Sequence, residues 1–442
     1  MKTQVKRFKR FKPATGEVQR KVTYRLYPTE GQKASMLDMK GAHMRLYNAF
    51  LEQRRLAWRR QGISLGKSEQ SVELTRLRQE DSEIGALNAQ SCQVTLNRVD
   101  LAFQAFFRRV KAGEEPGYPR FKTFNRFSGW GYKTHGDGWT LMPGEKGQHG
   151  KLRLSGVGNI RMRGGMRDEG TPKTCEIMHR HGKWYVSVTI NCKPVRGRGY
   201  GSLGFDWGIE HFLTVECDDG SFEEIDNPRW LRSNEAKLKD LYRSRDAKTK
   251  FSRGWRFVNR QIAKLHSKIA RQRKDWHHKL SARLVHETGA IFTEKLAIKN
   301  MSKRPKPKPG EKPGEWLPNG AAAKSGLNKS ILDGAPAQFL SYVRYKAANA
   351  GITMGEAPTR KLKPSQRCRQ CGKVEPKRLD QRWHLCDCGY RTSRDRNSAG
   401  VCLDWGIEHF LVFWLACLNT LGSGTVPEDF GPQNLHLESQ AI

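Results

Sequence analysis

The chain has 442 residues, enough for roughly two to four domains and at least one substantial core. It carries 80 Lys and Arg against 44 Asp and Glu, a formal charge of +36. Such an excess repels itself unless a polyanion neutralises it, and nucleic acid is the natural partner because neutralised phosphates release counterions. Twelve Trp, nineteen Phe and eleven Tyr interleaved with the charge favour nucleic acid over a membrane surface, since aromatic faces stack on bases. The longest apolar run, 410–418, is too short to span a bilayer, and the basic N-terminus has no apolar stretch after it, so no secretory signal is expected. The ten Cys are scattered apart from one cluster at 368–388, which suits an intracellular protein with one metal site rather than a disulfide framework.

Residues 18–29 alternate like a strand that ends at Pro28. Thr29 then caps a helix with Leu37, Met44, Leu46, Phe50 and Leu56 on its apolar positions. A second helical region, about 71–110, carries Leu74, Leu77, Leu96, Val99, Phe103 and Phe107. It runs into a Pro-rich loop where Tyr118, Arg120, Phe121 and Lys122 interleave basic and aromatic character, as a strand-gripping surface requires; a solvated helix end is the equal alternative. From Trp139 the pattern changes to short strands at 139–141, 151–154, 160–163, 174–178 and 184–190. They predict a small antiparallel barrel that 22–27 completes. An Arg- and Gly-rich linker at 196–201 places a domain boundary near 198.

Beyond that boundary, 202–209 reads as an apolar strand whose end presents the carboxylate of Asp206. A second strand at 211–215, an Asp218-Asp219-Gly220 turn and a third strand at 221–225 follow. Residues 234–287 are helical and basic with a break at 251–254, and 289–294 is a second apolar strand ending in Glu294. The Pro-, Lys- and Gly-rich 303–320 reads as a flexible charged loop. A helix at 329–350, a strand at 352–356, the cysteine cluster and a helix opened by Arg394-Asp395-Arg396-Asn397 complete an α/β layout. The polar tail beyond Gly422 is expected to be mobile.

Asp206 and Glu294 end strands and Asp395 begins a helix. Strand ends and helix starts converge on one edge of an α/β sheet, where sites form. A single such acid is more often a solvated cap; three in a chain of this charge predict a site for Mg²⁺, a hard cation that prefers oxygen ligands. Two such ions about 4 Å apart activate a water and stabilise the leaving 3′ oxygen of a phosphodiester. Cys368-x-x-Cys371 and Cys386-x-Cys388, each followed by Gly, have the spacing of two zinc-ribbon knuckles closing a structural four-thiolate site for Zn²⁺, although the second pair is one residue tighter than usual. The isolated Cys92, Cys175, Cys192, Cys217, Cys402 and Cys417 read as small core residues.

In this order, the Asp206-x-Gly208 strand, the strand ending in Glu294, the Cys pairs and Arg394-Asp395-Arg396-Asn397-Ser398-Ala399 resemble the RuvC-like nuclease of the TnpB (OrfB) proteins of insertion sequences. They equally resemble the compact type V CRISPR effectors descended from them. Tyr24-Arg25-Leu26-Tyr27-Pro28-Thr29, Leu46-Tyr47-Asn48 and the stretches 105–113 and 117–122 resemble that family's opening, so the likeness covers about 18–400. The resemblance implies a multidomain α+β chain: an N-terminal β-barrel with a helical insertion, then an RNase H-like (RuvC) α/β domain with an inserted zinc ribbon. Its expected domains are 1–35 with 124–197 (barrel), 36–123 (recognition helices), 198–365 with 391–421 (nuclease), 366–390 (ribbon) and 422–442 (tail).

The resemblance further implies an RNA-guided, Mg²⁺-dependent DNA endonuclease of the prokaryotic cytoplasm. Asp206, Glu294 and Asp395 match its catalytic acids, and Cys368, Cys371, Cys386 and Cys388 its zinc ligands, with a guide RNA and a target DNA duplex as partners and no membrane. Arg45, Tyr47, Asn48, Tyr118, Arg120 and Lys122 are candidates for touching the duplex beside the target, through bases or phosphates. The rival readings are a guided binder that represses without cutting and a transposase or recombinase that needs no RNA. Two features depart from the family: Ser393 stands where an Asp is frequent, and Asp404-Trp405-Gly406-Ile407-Glu408-His409-Phe410-Leu411 repeats 206–213 residue for residue. No glycine-flanked strand leads into Asp404, so Asp206 keeps the assignment.

Overall fold

A computed structural model describes residues 17–142, 144, 149–164, 170–193, 199–312, 314–378 and 380–411. The polar tail and Cys417 lie outside them. The chain divides into two compact units, Met1–Lys193 and Pro194–Ile442.

The first unit opens with β1 (Val18–Tyr27), then α1 (Glu30–Gln61), α2 (Lys67–Glu80), α3 (Ser82–Gly85) and α4 (Ala89–Lys111). Six strands follow: β2 (Gly129–Tyr132), β3 (Trp139–Met142), β4 (Lys151–Leu154), β5 (Gly158–Met162), β6 (Thr171–Arg180) and β7 (Lys183–Cys192). They form a seven-stranded antiparallel sheet in the order β2-β6-β7-β1-β5-β4-β3, so β1 is its central strand. Inward residues of every strand share one core, with Trp130 and Tyr132 from one edge beside Trp139 and Leu141 from the other. The sheet therefore curls into a near-closed barrel, because its edges bury their aromatics in one interior.

Thr29 caps α1 as expected: its hydroxyl accepts from Gln32 N at 3.3 Å and the Gln32 amide oxygen accepts from Thr29 N at 3.1 Å. The helical region 71–110 is not continuous. Asp81 turns the chain and caps α3, and Asn88 caps α4, so two short polar side chains recruit backbone N–H groups and divide the helical region.

The second unit has β8 (Ser202–Trp207), β9 (His211–Cys217), β10 (Phe222–Asp226), α5 (Glu235–Asp246), α6 (Arg253–Glu287), β11 (Ala290–Glu294) and α7 (Ile298–Met301). A small ribbon of β12 (Lys308–Pro309) and β13 (Trp316–Leu317) falls in the stretch expected to be loop. Then come α8 (Ala321–Gly334), α9 (Pro336–Ala350), β14 (Thr353–Ala357), α10 (Thr359–Leu362), β15 (Trp383–Leu385), β16 (Arg391–Ser393) and α11 (Arg394–Gly406). The sheet order is β10-β9-β8-β11-β14, with β8, β11 and β14 parallel. Every residue of β8 except Asp206 is buried, as a central strand covered on both faces requires. The single helix expected at 329–350 is broken at Ala335, which sits at φ 47° before Pro336. Proline bars the preceding residue from helical geometry and then starts the next helix.

α11 lies directly on β8. A β-carbon at Gly204 would stand 2.3 Å from the Ala399 carbonyl oxygen and 2.7 Å from Leu403 Cβ. Gly204→Ala should therefore cost about 1–3 kcal/mol through overpacking, read as a lower midpoint in thermal denaturation. An unchanged midpoint would contradict this close approach.

Candidate metal centres

Parallel pairing brings two acids side by side. Thr293 is opposite Phe205, so Glu294, last in β11, and Asp206, next to last in β8, occupy the same carboxyl edge. The third acid comes from α11. Ser393 caps that helix, its hydroxyl accepting from Arg396 N at 3.2 Å, so the Ser that replaces the frequent Asp keeps an N-cap function. Asp395 follows in the first turn, and its Oδ2 lies 3.9 Å from where a β-carbon on Gly208 would sit. That β-carbon would also stand 2.7 Å from the His211 carbonyl oxygen, so the tight β8–β9 hairpin admits only glycine beside the acid.

Asp206 feels the other two acids. Burial first, then the charges of Glu294 and Asp395, push the Asp206 carboxyl well above the usual range, while Arg394 opposes the shift. Burial raises Glu294 as well. The buried Cys402 thiol of α11 is pushed up by its own burial and by Asp206 and Glu294, which places it beside the pair. Arg394 Nε stands 3.6 Å from Asp395 Oδ1. Buried carboxyl groups with raised pKa values on the carboxyl edge of a parallel sheet are candidates for a functional site.

The four cysteines come together more tightly. Among the described residues, Cys368, Cys371, Cys386 and Cys388 are the one group of three or more His, Cys, Asp or Glu donors whose ligating atoms all lie within 4.8 Å of one another. The Sγ atoms of Cys368 and Cys388 are 3.7 Å apart and those of Cys371 and Cys386 3.5 Å. A tetrahedron with metal–sulfur bonds of about 2.3 Å has edges of about 3.8 Å, so the thiols already stand close to such corners. Gly372 (φ 74°) and Gly389 (φ 89°) turn the two knuckles. The shorter Cys386-x-Cys388 spacing still closes its loop, with Gly389 N donating to Cys386 O at 2.9 Å and Cys386 N to Tyr390 O at 3.1 Å. Of the isolated cysteines, Cys92, Cys175, Cys192 and Cys402 are buried and Cys217 partly so.

In the first unit, Tyr47 is buried at 5 % exposure, and Asn48 spends its amide on one backbone residue. Its Nδ2 donates to Lys122 O at 2.9 Å and its Oδ1 accepts from Lys122 N at 2.8 Å. Both therefore pin the loop after α4 to α1. Arg45 pairs with Glu83 on the surface. Tyr118 and Arg120 are exposed and, with Arg55 and Phe121, line a cleft of about 590 Å³. The Arg55 guanidinium sits 4.9 Å over the Phe121 ring, a pairing the sequence pattern did not single out because the two are far apart in the chain.

The two copies of the repeated octapeptide fold differently. Asp206 and Trp207 end β8 and His211 to Leu213 begin β9, whereas Asp404 to Gly406 finish α11 and Ile407–Leu411 form a π-helical turn. Asp404 is exposed and bound at 2.8 and 3.0 Å by Arg369. Context decides here, a capped helix imposing its geometry on one copy and a sheet hairpin on the other.

No helix among the described residues is long and apolar enough to cross a membrane. Fold and clusters together define a basic, multidomain α/β protein with a four-thiol module inserted beside an acidic sheet edge. A family described as "Probable transposase" (OrfB of IS605) matches 187–305, "Cas12f1-like, TNB domain" matches 337–401, and "Helix-turn-helix domain" matches 18–62, which here is a strand and one long helix. InsQ of Escherichia coli (strain K12), named "Putative RNA-guided DNA endonuclease InsQ", is 30 % identical over 318 residues, 70 % of this chain and 73 % of its own. A Streptomyces pristinaespiralis protein named "Putative RNA-guided DNA endonuclease" is 28 % identical over 399 residues, 88 % and 90 % of the two chains. The protein of the solved Cas12f1-sgRNA-target DNA complex shares the fold, with a TM-score of 0.56 at 11 % identity over 88 % of this chain and 99 % of that one. The chain belongs to the TnpB (OrfB) family.

The electrostatic frustration at Asp206 has a measurable sign. Its charged form is disfavoured in the folded, metal-free protein by burial and two like charges, so Asp206→Asn should stabilise that protein. A gain of ~1 kcal/mol would raise the midpoint by about 2–4 °C in a domain of this size. A lower midpoint in EDTA would show that Asp206 is paired rather than repelled.

Proposed function

We propose that the protein is an RNA-guided DNA endonuclease whose cleavage centre is formed by Asp206, Glu294 and Asp395. What supports the reading is that Asp206 and Glu294 share the carboxyl edge of β8 and β11, that Asp395 Oδ2 lies 3.9 Å from a β-carbon position on Gly208, and that two of the three carboxyl groups are raised. The family membership and the names of the relatives support it. Under this reading the second unit is an RNase H-like (RuvC) domain, 198–365 with 391–421, carrying a ribbon at 366–390. The first is a barrel, 1–35 with 124–197, with recognition helices at 36–123.

The acids would hold two Mg²⁺ ions, which supply an activated water and neutralise charge on the leaving 3′ oxygen. The chain contributes the rest. Gly208 lets the β8–β9 turn pass close beside Asp395, and Arg394 offsets part of the burden on Asp206. Cys368, Cys371, Cys386 and Cys388 fit Zn²⁺, being four thiols near tetrahedral corners with no position left for substrate. Tyr118, Arg120, Lys122 and Arg45 present stacking faces and charge to nucleic acid, while Tyr47 and Asn48 hold their loop in place. Base pairing with the guide supplies sequence reading, and the protein reads shape and a short flanking motif.

Cleavage of one duplex should appear with protein loaded with a matched guide and be lost with a mismatched guide or without RNA. Equal cutting in all three would leave a non-specific nuclease. Asp206→Ala, Glu294→Ala and Asp395→Ala should each abolish Mg²⁺-dependent cutting while leaving RNA and DNA binding nearly intact. Elemental analysis should find one zinc per chain, lost in Cys368→Ser/Cys371→Ser together with local stability; retention of both metal and stability would remove the zinc assignment.

A further inference from the structure

Arg369 stands between the first two knuckle cysteines, yet every polar contact it makes leaves the module. Its backbone N donates to Asn397 Oδ1 at 3.1 Å. Its Nε and Nη2 grip Asp404 Oδ2 and Oδ1 at 2.8 and 3.0 Å, and its Nη1 donates to Glu216 Oε1 at 2.7 Å. A β-carbon at Gly400 would lie 2.6 Å from Arg369 Cδ, so the stem of the arginine lies flat on that glycine. Asn397, Gly400 and Asp404 are three and four residues apart, one stripe of α11. Asn397 completes the clasp, its Nδ2 donating to Arg367 O at 2.7 Å, next to Cys368.

We propose that Arg369 is a positioning residue: it transmits metal binding at the four thiols to α11 and so fixes Asp395 at the acidic edge. The inference rests on the reading of Asp395 as a cleavage-site acid. Glu216 extends the linkage to the sheet. It is 2 % exposed on β9, beside the strand that bears Asp206, and it also accepts from Arg396 Nε at 2.8 Å, one residue after Asp395. Arg396 is held in turn over the Phe222 ring, 3.9 Å from its centroid. A buried carboxylate served by two forked guanidiniums fixes direction as well as distance.

The module cannot hold Arg369 in place by apolar packing. Among the described residues of 366–393, only Cys368, His384 and Thr392 are buried. Its order must come from the metal that closes the thiols, as in other small metal-dependent modules. Filling the thiol site therefore anchors Arg369, Arg369 anchors the 397–404 stripe, and the first turn of α11 follows. Nothing in the sequence pairs Arg369 with Glu216, which is 153 residues away.

The test is hydrogen exchange on the full chain, zinc-loaded and chelator-treated, with and without Arg369→Met. In the natural sequence, metal removal should speed exchange at 368–388 and also at 393–404, with β11 unchanged as the internal control. In Arg369→Met, one zinc per chain should remain bound, and exchange at 393–404 should no longer respond to its removal. The Mg²⁺ concentration giving half-maximal cleavage should rise about tenfold, the scale of outer-partner loss at metal sites, with RNA affinity unchanged. The proposal is overturned if 393–404 in the natural sequence exchanges alike with and without zinc, a result that requires no variant to fold. It is also overturned if Arg369→Met transmits metal removal undiminished. Exchange involves no cleavage, so an Asp395→Ala protein that still cuts would refute the cleavage site and leave this coupling standing.

Discussion

Like charges drawn together are the constraint on which the second unit is organised. Burial first, and then the charges of Glu294 and Asp395, disfavour the Asp206 carboxylate, and burial disfavours that of Glu294. A fold tolerates that only where the acids are held by elements that cannot yield. β8 and β11 are the central parallel strands, and α11 is pressed onto β8 so closely that Gly204 admits no side chain. Under the proposed reading, a cation bound between the acids would relieve that cost, the usual exchange of stability for function at an active centre.

The surrounding charge has the opposite sign. Most of the +36 lies outside the acidic edge, and on α6 it forms a stripe: Arg256, Arg260, Lys264 and Lys268 are exposed at four-residue spacing, opposite the buried Val258, Ile262, Leu265 and Ile269. One face packs the core while the other offers a row of cations about 6 Å apart, given a rise of ~1.5 Å per residue. Polyanion binding at such rows is strong at low salt and weak at high salt, and carries no sequence information. The Arg55–Tyr118–Phe121 cleft of the first unit differs from such a row in being a shaped surface.

Local patterns were legible and long-range partnerships were not. The strands presenting Asp206 and Glu294, the capped start of α1 and a helix break expected at 251–254, which falls at 247–252, show in apolar spacing and turn chemistry, and the knuckles in cysteine spacing. The breaks at Asp81 and Ala335 were missed because single polar or pre-proline positions outweigh a helical period. Tyr47 and Asn48 read as surface groups beside basic residues, but one is core and the other a loop clamp, a distinction that depends on a segment about seventy residues on. Glu216 falls one residue past the strand expected at 211–215, and its two arginine partners come from beyond residue 368. The octapeptide is the sharpest case: identical residues gave a hairpin and a helix end, so no local rule could have placed both, and nothing in the structure explains the duplication.

The central claim is that the three acids form one cation site separate from the thiols. Anomalous scattering from crystals grown with Mn²⁺ in place of Mg²⁺ tests it directly. The account predicts manganese peaks bounded by Asp206, Glu294 and Asp395 and a zinc peak, distinct in energy, among Cys368, Cys371, Cys386 and Cys388. Manganese at Asp404, or at no point along the edge shared by β8 and β11, would contradict it.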